Sequence, residues 1–599
     1  MSTDRVEALV TVVWQTVWVE GSHFRLKAGL VIAVAVAGVV GAAIWLATSW
    51  LSTYRQVQAF QTEVTDFRAA ITARDWSSVA ERVPSLRESS QEVGASTQRL
   101  PWLMLESVPF VGPSAAAVGD LALSANALAT AALPLTPYIE TVLDGGIRRP
   151  DGSIDFTVIN ALTPLLERLG TAVVQEAARL DTVDVAQLRP EIAEPLVELR
   201  DQLHGAASGL AVSGEVAAQL PALLGADGER TWLVVLQNPA EARGTGGFPG
   251  GYVVIGADEG ALSVVSAGKS GDLNALPIPV DGAPADSQLL WGRFLTEWRS
   301  FNLSPHFPLT GSLAAASMQS RGIPVDGVLA VDPAVVAALL EVTGPVTAAG
   351  VTLTAENAEQ FFLVDIYQQF PDMGQRTDLS LALVRAVLSA FLASDWDPAL
   401  LAEALRAPIS EGRVRAWSAD PEEQAWLATT LVGGSVPDTP GSVIAVAFNN
   451  ASGNKMDAFV GAEVQYNPGR CATKSTQDSS LRIKLRNAAP EDLPPNRGDY
   501  GRQDDQSAPA GSTKMLVHFY APIGASYLSS TLDGLATPLY SGEERGRPVW
   551  WTYVTLMRGQ QAVIDVRFQE PYVSTVMPAA LPQGMAIPEV ISVQPQYAC

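Results

Sequence analysis

Three charged side chains stand around one glycine-rich stretch of residues 231–272: Arg243, Lys269 and Asp272. Between the two cations lie Gly244, Gly246, Gly247, Gly250 and Gly251. Glycine admits positive φ and lets backbone N–H groups come close to a ligand. Flanked by cations, such a backbone suits an anion, phosphate above all. Two familiar phosphate motifs fail. Gly268-Lys269-Ser270 mimics the end of a P-loop, but Ser263 stands where the leading glycine belongs. The dinucleotide pattern fails at Pro249, which takes the place of its third glycine. Neither an NTPase nor a Rossmann dehydrogenase is expected. The same glycines would also serve a connection that needs only tight packing, and residue chemistry alone favours that plainer reading.

The elements around this stretch change texture along the chain. Trp232 to Leu236 is a continuous β-branched apolar run, which predicts a strand buried on both faces. Tyr252 to Ile255 and Leu262 to Val265, joined through Asp258-Glu259-Gly260, predict a hairpin. Further on, Val328 to Val331 reads as a strand. Asp332-Pro333 and Asp420-Pro421 read as N-cap and N1 of helices, and Gly344-Pro345 as a helix stop. Two helices are expected at about 355–370 and 376–394, with Arg376 and Asp378 opening the second. Residues 227–440 therefore make an α/β domain. From 441 to 599, short strands alternate with Gly, Pro, Asn and Asp loops, which predicts an antiparallel β-sandwich. Asn454 and Lys455, in the link between the two, either reach the central cleft or make a turn.

The N-terminal part is helical. Residues 28–54 carry no charge, and 28–46 alone would span roughly 28 Å as a helix, enough for a membrane anchor. Arg25 and Lys27 precede it and favour a cytoplasmic N-terminus for residues 1–27, with a single transmembrane helix at 28–50. Leu51, Tyr54, Val57, Phe60, Val64, Phe67 and Ile71 form one stripe of an amphipathic helix, opening a helical region over 51–226. Pro84 is expected to kink or end the helix that begins near Asp75, and 101–113 to be a turn region. The uncharged stretch 121–139 is rich in small residues and holds two prolines, so it reads as a packed helix rather than a second span. Overall the class is α+β multidomain.

Composition narrows the function. The chain has 599 residues, too many for one core. Its net charge of −24 argues against nucleic acid. It also makes a local group of cations harder to ascribe to chance, unless neighbouring carboxylates pair with them. The two cysteines, Cys471 and Cys599, form no C-x-x-C, so a zinc or thioredoxin-type site is not expected. In an exported chain they could pair, and two unpaired thiols are equally open. The four histidines, His23, His204, His306 and His518, are not at metal-ligand spacing.

The run Gln237-Asn238-Pro239-Ala240-Glu241-Ala242-Arg243-Gly244-Thr245-Gly246-Gly247-Phe248 resembles the signature of a bacterial envelope family, the domain of unknown function 4012. Ala242 and Gly244 depart from the usual form. Val325 to Asp332, Leu340 to Val346 and Gly453-Asn454-Lys455-Met456-Asp457 match further parts of it. More distantly, the order of elements is similar to LytR-CpsA-Psr (LCP) phosphotransferases, which move glycopolymers from a polyprenyl-pyrophosphate carrier to the cell wall. That likeness implies phosphate contacts from Arg243, Lys269, Asn302 and Arg376; Arg299, Lys455 and the backbone at Gly246 and Gly247 are further phosphate-binding candidates from the residues themselves. The likeness also implies a metal or base role for Asp272 or Asp378, with a divalent ion such as Mg2+. Thr245 stands where that family has its metal-binding Asp, and a Lys replaces one pyrophosphate Arg.

The expected protein is a single-pass envelope protein whose extracytoplasmic α/β domain binds an anionic or polyprenyl-phosphate-linked cell-wall glycan and could transfer it. The rival is a non-catalytic scaffold or adhesion protein. A topology test follows: protease added to wall-stripped cells should digest nearly all of the chain. A protected fragment much larger than the anchor would overturn the orientation.

Overall fold

The structure is a computed structural model and describes residues 29–73, 75–143, 146–493 and 497–599. Residues 1–28 lie outside the described residues. So do the side chains of 29–47 and of Trp50, and of the anchor expected at 28–50 only the helical backbone from Gly29 is described. The class is mixed α+β, with a helical N-terminal part and several antiparallel-rich sheets. The chain forms two compact units.

The first unit holds residues up to 147 and 155–220. Its helices are Gly29–Ala73, Trp76–Thr97, Leu100–Glu106, Gly112–Ala132, Thr136–Leu143, Phe156–Asp181 and most of Pro190–Leu223. Asp75 caps the second helix by accepting from Ser78 N at 3.0 Å. Pro84, expected to kink or end that helix, lies inside it without ending it. Val79, Val83 and Val93 are buried on both sides of it, and this packing outweighs one lost backbone bond. The expected turn at 101–113 begins instead as a short helix. Pro190–Leu223 is one helix that runs through Gly209 and Gly214, which cost a helix far less than proline does.

Among the described residues, Gly112–Ile139 is the stretch long and apolar enough to cross a membrane, by length and composition. It also has packing and polar partners within its unit. Leu121 and Leu128 lie on the core of Val173, Leu180, Leu196 and Leu203. Arg179 meets Asp120 at 2.8 Å, and Ser124 donates to Glu176 at 2.7 Å.

The second unit holds 148–154 and 221–599, so residues expected as two domains cluster together. Its central sheet comprises β1 (Arg230–Arg243), β2 (Gly246–Asp258), β3 (Ala261–Lys269), β4 (Gly327–Val331) and, after the small hairpin β5–β6 (Val346–Ala348, Val351–Leu353), β7 (Arg415–Ser418). The order is β3-β2-β1-β4-β7, with only β1 and β4 parallel. Leu233 and Val235 of β1 are buried against Trp291, Trp298 and Phe307. Glu259 and Gly260 take positive φ, as a two-residue hairpin turn requires. Asp332 caps helix Pro333–Thr343, and Asp372 caps Met373–Ala393. The second helix thus starts before Arg376, which places Asp378 beyond its first turn.

Two further sheets follow. One is β14-β15-β11-β8-β17 and the other β13-β12-β16-β10-β9-β18. In chain order these strands are β8 (Val443–Asn450), β9 (Val460–Asn467), β10 (Thr476–Asn487), β11 (Thr513–Tyr520), β12 (Ser526–Leu532), β13 (Leu535–Ala536), β14 (Tyr540–Glu544), β15 (Arg547–Leu556), β16 (Gln561–Pro571), β17 (Ala579–Leu581) and β18 (Val590–Val593). Alternation is strict along β10, and the inward set from both sheets shares one core, including Phe448, Ile483, Phe519 and Phe568. The next residues along β8, Ala445 and Ala447, point the other way and join the core of the central sheet. Buried Glu544 fixes this seam, accepting from Trp291 Nε1 at 3.1 Å, Ser304 Oγ at 2.9 Å and the Tyr520 hydroxyl.

Cys471 and Cys599 are joined, with Cα atoms 5.6 Å apart. Free-thiol labelling of unfolded, unreduced protein should therefore find no reactive cysteine. Two labelled thiols would contradict the pairing.

Candidate functional site

The stretch 246–251, expected as a ligand-cradling loop, is instead the first half of β2. The loop shrinks to Gly244-Thr245, and Gly244, Gly246 and Gly247 pack closely against other protein atoms. A Cβ at Gly247 would lie 2.2 Å from the Asn238 carbonyl carbon, and one at Gly244 would lie 2.0 Å from the Leu303 carbonyl oxygen. The amide of Gly247 donates to Gln237 Oε1 at 2.7 Å, and its carbonyl accepts from Asn302 Nδ2 at 2.9 Å. Phosphate binding by Gly246 and Gly247 is therefore corrected to backbone packing. Asn302, fully buried, is corrected likewise: it also bonds Thr245 Oγ1 at 3.2 Å and so holds the turn.

Opposite these glycines β1 bulges. Asn238 pairs with Phe248 and Ala242 with Gly247, so Pro239, Ala240 and Glu241 have no partner across the ladder. Proline, lacking an N–H, suits this place. The bulge carries Glu241 into the interior, 8% exposed. There its carboxylate accepts from Arg243 Nη2 at 2.7 Å and from the Lys455 ammonium. Both cations lie over the Phe248 ring, Lys455 Nζ at 4.7 Å and Arg243 Cζ at 5.7 Å from its centroid. Asp457 secures the same bulge, accepting from Ala242 N at 2.9 Å. The two sequence stretches 237–248 and 453–457 are thus one structural device. Burial pushes the Glu241 carboxyl up, but the charges of Lys455 and Arg243 outweigh it and hold the group at about 2. Burial lifts Asp457 to about 6.

A cavity of about 250 Å3 opens beside this device. Leu236 and Val331 place it at the carboxyl ends of the parallel pair β1 and β4, where open α/β sheets commonly hold ligands. Val336, Phe362, Ile366 and Val384 supply apolar wall, and Gly250 and Gly251 line one side. Phe362 sits in a π-helical turn, Phe361–Asp365, a distortion frequent at functional sites. The polar lining includes Asn238, Lys269, Asp332, Tyr367, Arg376, Lys455 and Asp499.

Of the expected site residues, the cavity brings together Lys269, Arg376 and Lys455. Arg376 is already paired within the lining and its surroundings: it bonds Asp499 at 3.0 Å and the carbonyls of Phe370 and Pro371 at 2.9 and 2.8 Å. Lys269 pairs at 2.5 Å with Asp378, both substantially exposed. Asp272 accepts from Lys269 N at 3.1 Å, a local cap. Arg243 does not reach the cavity; besides Glu241 it bonds its neighbours' carbonyls at Ala242 (2.9 Å) and Arg299 (3.4 Å). Arg299 is exposed and faces Glu297. The expected convergence of Arg243, Lys269 and Arg376 thus fails at Arg243. Among the described residues no group of three His, Cys, Asp or Glu side chains could hold a metal. Asp272 and Asp378, each already engaged singly, fit a metal poorly. Sequence reasoning missed Asn238, Tyr367 and Asp499. Asn238 Nδ2 donates to Tyr367 Oη at 2.8 Å across 129 residues, a contact no local pattern signals.

Residues 227–367 match the family described as protein of unknown function, DUF4012. The matched residues hold β1 to β4 of the central sheet and the hairpin β5–β6, and they end within the cavity wall at Tyr367, so β7 and the stretch 453–457 lie beyond them. No curated protein matches the chain. A solved structure from Legionella pneumophila, provisionally described as a nutrient binding protein, is 8% identical over 24% of this chain and 50% of its own, with a TM-score of 0.16. That likeness is too slight to carry an argument, and the chain spans half of that protein.

The Glu241 cluster sets an acid limit on stability. Its folded pKa is lowered, so its contribution is complete above the ordinary 4.5 and is lost as pH falls toward about 2. Urea midpoints measured across that window should fall steeply in the wild type and less steeply in Glu241→Gln. Arg243→Ala should destabilise toward the lower end of the roughly 3–5 kcal/mol lost on breaking a buried pair, since Lys455 remains. A variant as stable as the wild type would contradict the internal role.

Proposed function

We propose that the second unit binds an anionic amphiphile, with the apolar part in the cavity and the anion held by Lys455 and Lys269. One observation carries this: a mostly apolar wall interrupted by Lys455, which belongs to a buried group of two cations and one carboxylate. A bound anion would meet the Lys455 ammonium, which lines the cavity, through charge-assisted hydrogen bonds. Lys455 has three N–H donors and one hydrogen-bonded carboxylate partner. Lys269 can exchange partners cheaply, because an exposed pair such as Lys269–Asp378 contributes only about 0–1 kcal/mol.

The cavity falls just below the roughly 300–1,000 Å3 of pockets for drug-sized ligands. It suits the phosphate-bearing end of a prenyl chain rather than a whole carrier. A polyprenyl-phosphate-linked cell-wall glycan, met by an envelope protein anchored at 28–50, is our choice within that class. The distant similarity of element order to LytR-CpsA-Psr phosphotransferases supports the same choice. Transfer is no part of the proposal, since Asp272 and Asp378 are a cap and a surface ion pair. We read the two sheets over one core as the β-sandwich expected at 441–599.

The test uses full-length protein in nanodiscs, titrated with farnesyl phosphate and with farnesol. The phosphate should bind at least about tenfold more tightly, equivalent to roughly 1.4 kcal/mol. Lys455→Met should remove that preference, and Val384→Trp, which fills the cavity, should abolish both. Equal binding of phosphate and alcohol, or indifference to Val384→Trp, would overturn the reading. Absence of saturable binding would leave the scaffold.

A further inference from the structure

In the first unit, the short helix Leu100–Glu106 and the turn after it expose five apolar side chains: Leu100, Leu103, Met104, Val108 and Phe110. Phe110 is 89% exposed and takes φ 68°, a left-handed conformation that non-glycine residues rarely adopt. The backbone is fixed around it, since Gly112 N donates to Val108 O at 2.8 Å. Trp102 is anchored beneath, its Nε1 donating to Ala115 O at 3.1 Å. An apolar group held outward on a folded turn marks an interaction surface.

Its height along the bundle identifies the partner. Helices Gly29–Ala73 and Trp76–Thr97 run antiparallel: Arg82 meets Asp66 at 3.1 Å, and Ser96 donates to Gln56 at 2.6 Å. Ser96 is thus level with Gln56, next to Arg55 where the uncharged stretch 28–54 ends, and Leu100 follows four residues on. Helix Leu100–Glu106 does contact Gly29–Ala73. Helix Gly112–Ala132 then turns back along Trp76–Thr97, with Gly119 against Thr97. The apolar turn is therefore the tip of the bundle at the boundary of the apolar N-terminal run. Arg55 and Arg99 are exposed at that level, as cations facing lipid phosphates would be, and Glu106 is half-buried.

We propose that the turn 100–110 dips into the lipid bilayer beside the N-terminal anchor, giving the first unit a second membrane contact. This rests on the anchor at 28–50, and the test separates the two. Full-length protein carrying Phe110→Cys or Ile71→Cys is labelled with an environment-sensitive fluorophore and reconstituted into phosphatidylcholine–phosphatidylglycerol vesicles. Ile71 is exposed far along the same helix from the expected boundary. The probe at position 110 should shift to the blue and be quenched by spin-labelled lipid. The probe at 71 should be quenched by aqueous iodide. If the protein floats with vesicles but iodide reaches both probes equally, the anchor stands and the dipping turn is overturned. If it does not float, the anchor fails and the inference falls with it.

Discussion

The second unit depends on how a buried carboxylate is neutralised. Glu241 sits in a bulge of β1 and would be prohibitively costly there without cations. Arg243 supplies one charge from the same strand, and Lys455 supplies the other from the link between β8 and β9. The glycines across the ladder, Asn302 and Asp457 all serve this arrangement, by letting backbone come close or by satisfying the bulge's own polar groups. The motif is conspicuous because its residues meet one another, and the cavity takes Lys455 from it.

Local rules made much of the architecture legible. The β-branched run of β1, the hairpin at Glu259-Gly260 and the Asp-Pro caps at 332 and 420 are set by neighbours in sequence, and they stand where expected. Strand spacing beyond 443 was readable for the same reason. What was not readable is what long-range contact decides. Gly244 to Gly251 looked like a loop because glycine is compatible with both a loop and a crowded ladder, and only the approach of Leu303 and Asn238 chooses between them. Pro84 lies inside a helix because tertiary packing outweighs one missing bond. Arg243 looked like a ligand-binding cation, but a cation beside a carboxylate two residues away in a β-bulge finds its partner internally.

The cavity illustrates how ion pairs differ in availability. Arg376–Asp499 and Arg413–Asp332 are buried and geometrically committed, with contacts of 3.0 and 2.6 Å. Opening either would leave a charge without solvent, which is expensive. Burial pushes the Asp332 carboxyl up even with Arg413 beside it. Lys269–Asp378, at the rim, has water on both partners and yields readily. The cavity is thus lined by committed pairs inside and an exchangeable pair at its edge.

The wiring of the bulge also imposes an order in time. Glu241 and Lys455 are separated by 214 residues, and Ala242 and Asp457 by 215. A chain that emerges N-terminus first can form the hairpin of β2 and β3 early, but it cannot neutralise the Glu241 environment until β8 and the link after it exist. Contacts this distant carry a large loop-closure cost and slow the final step. Through that interval the apolar half of β1 and its acidic bulge wait unfinished, so a chain interrupted between 440 and 455 is left with a strand that cannot be completed.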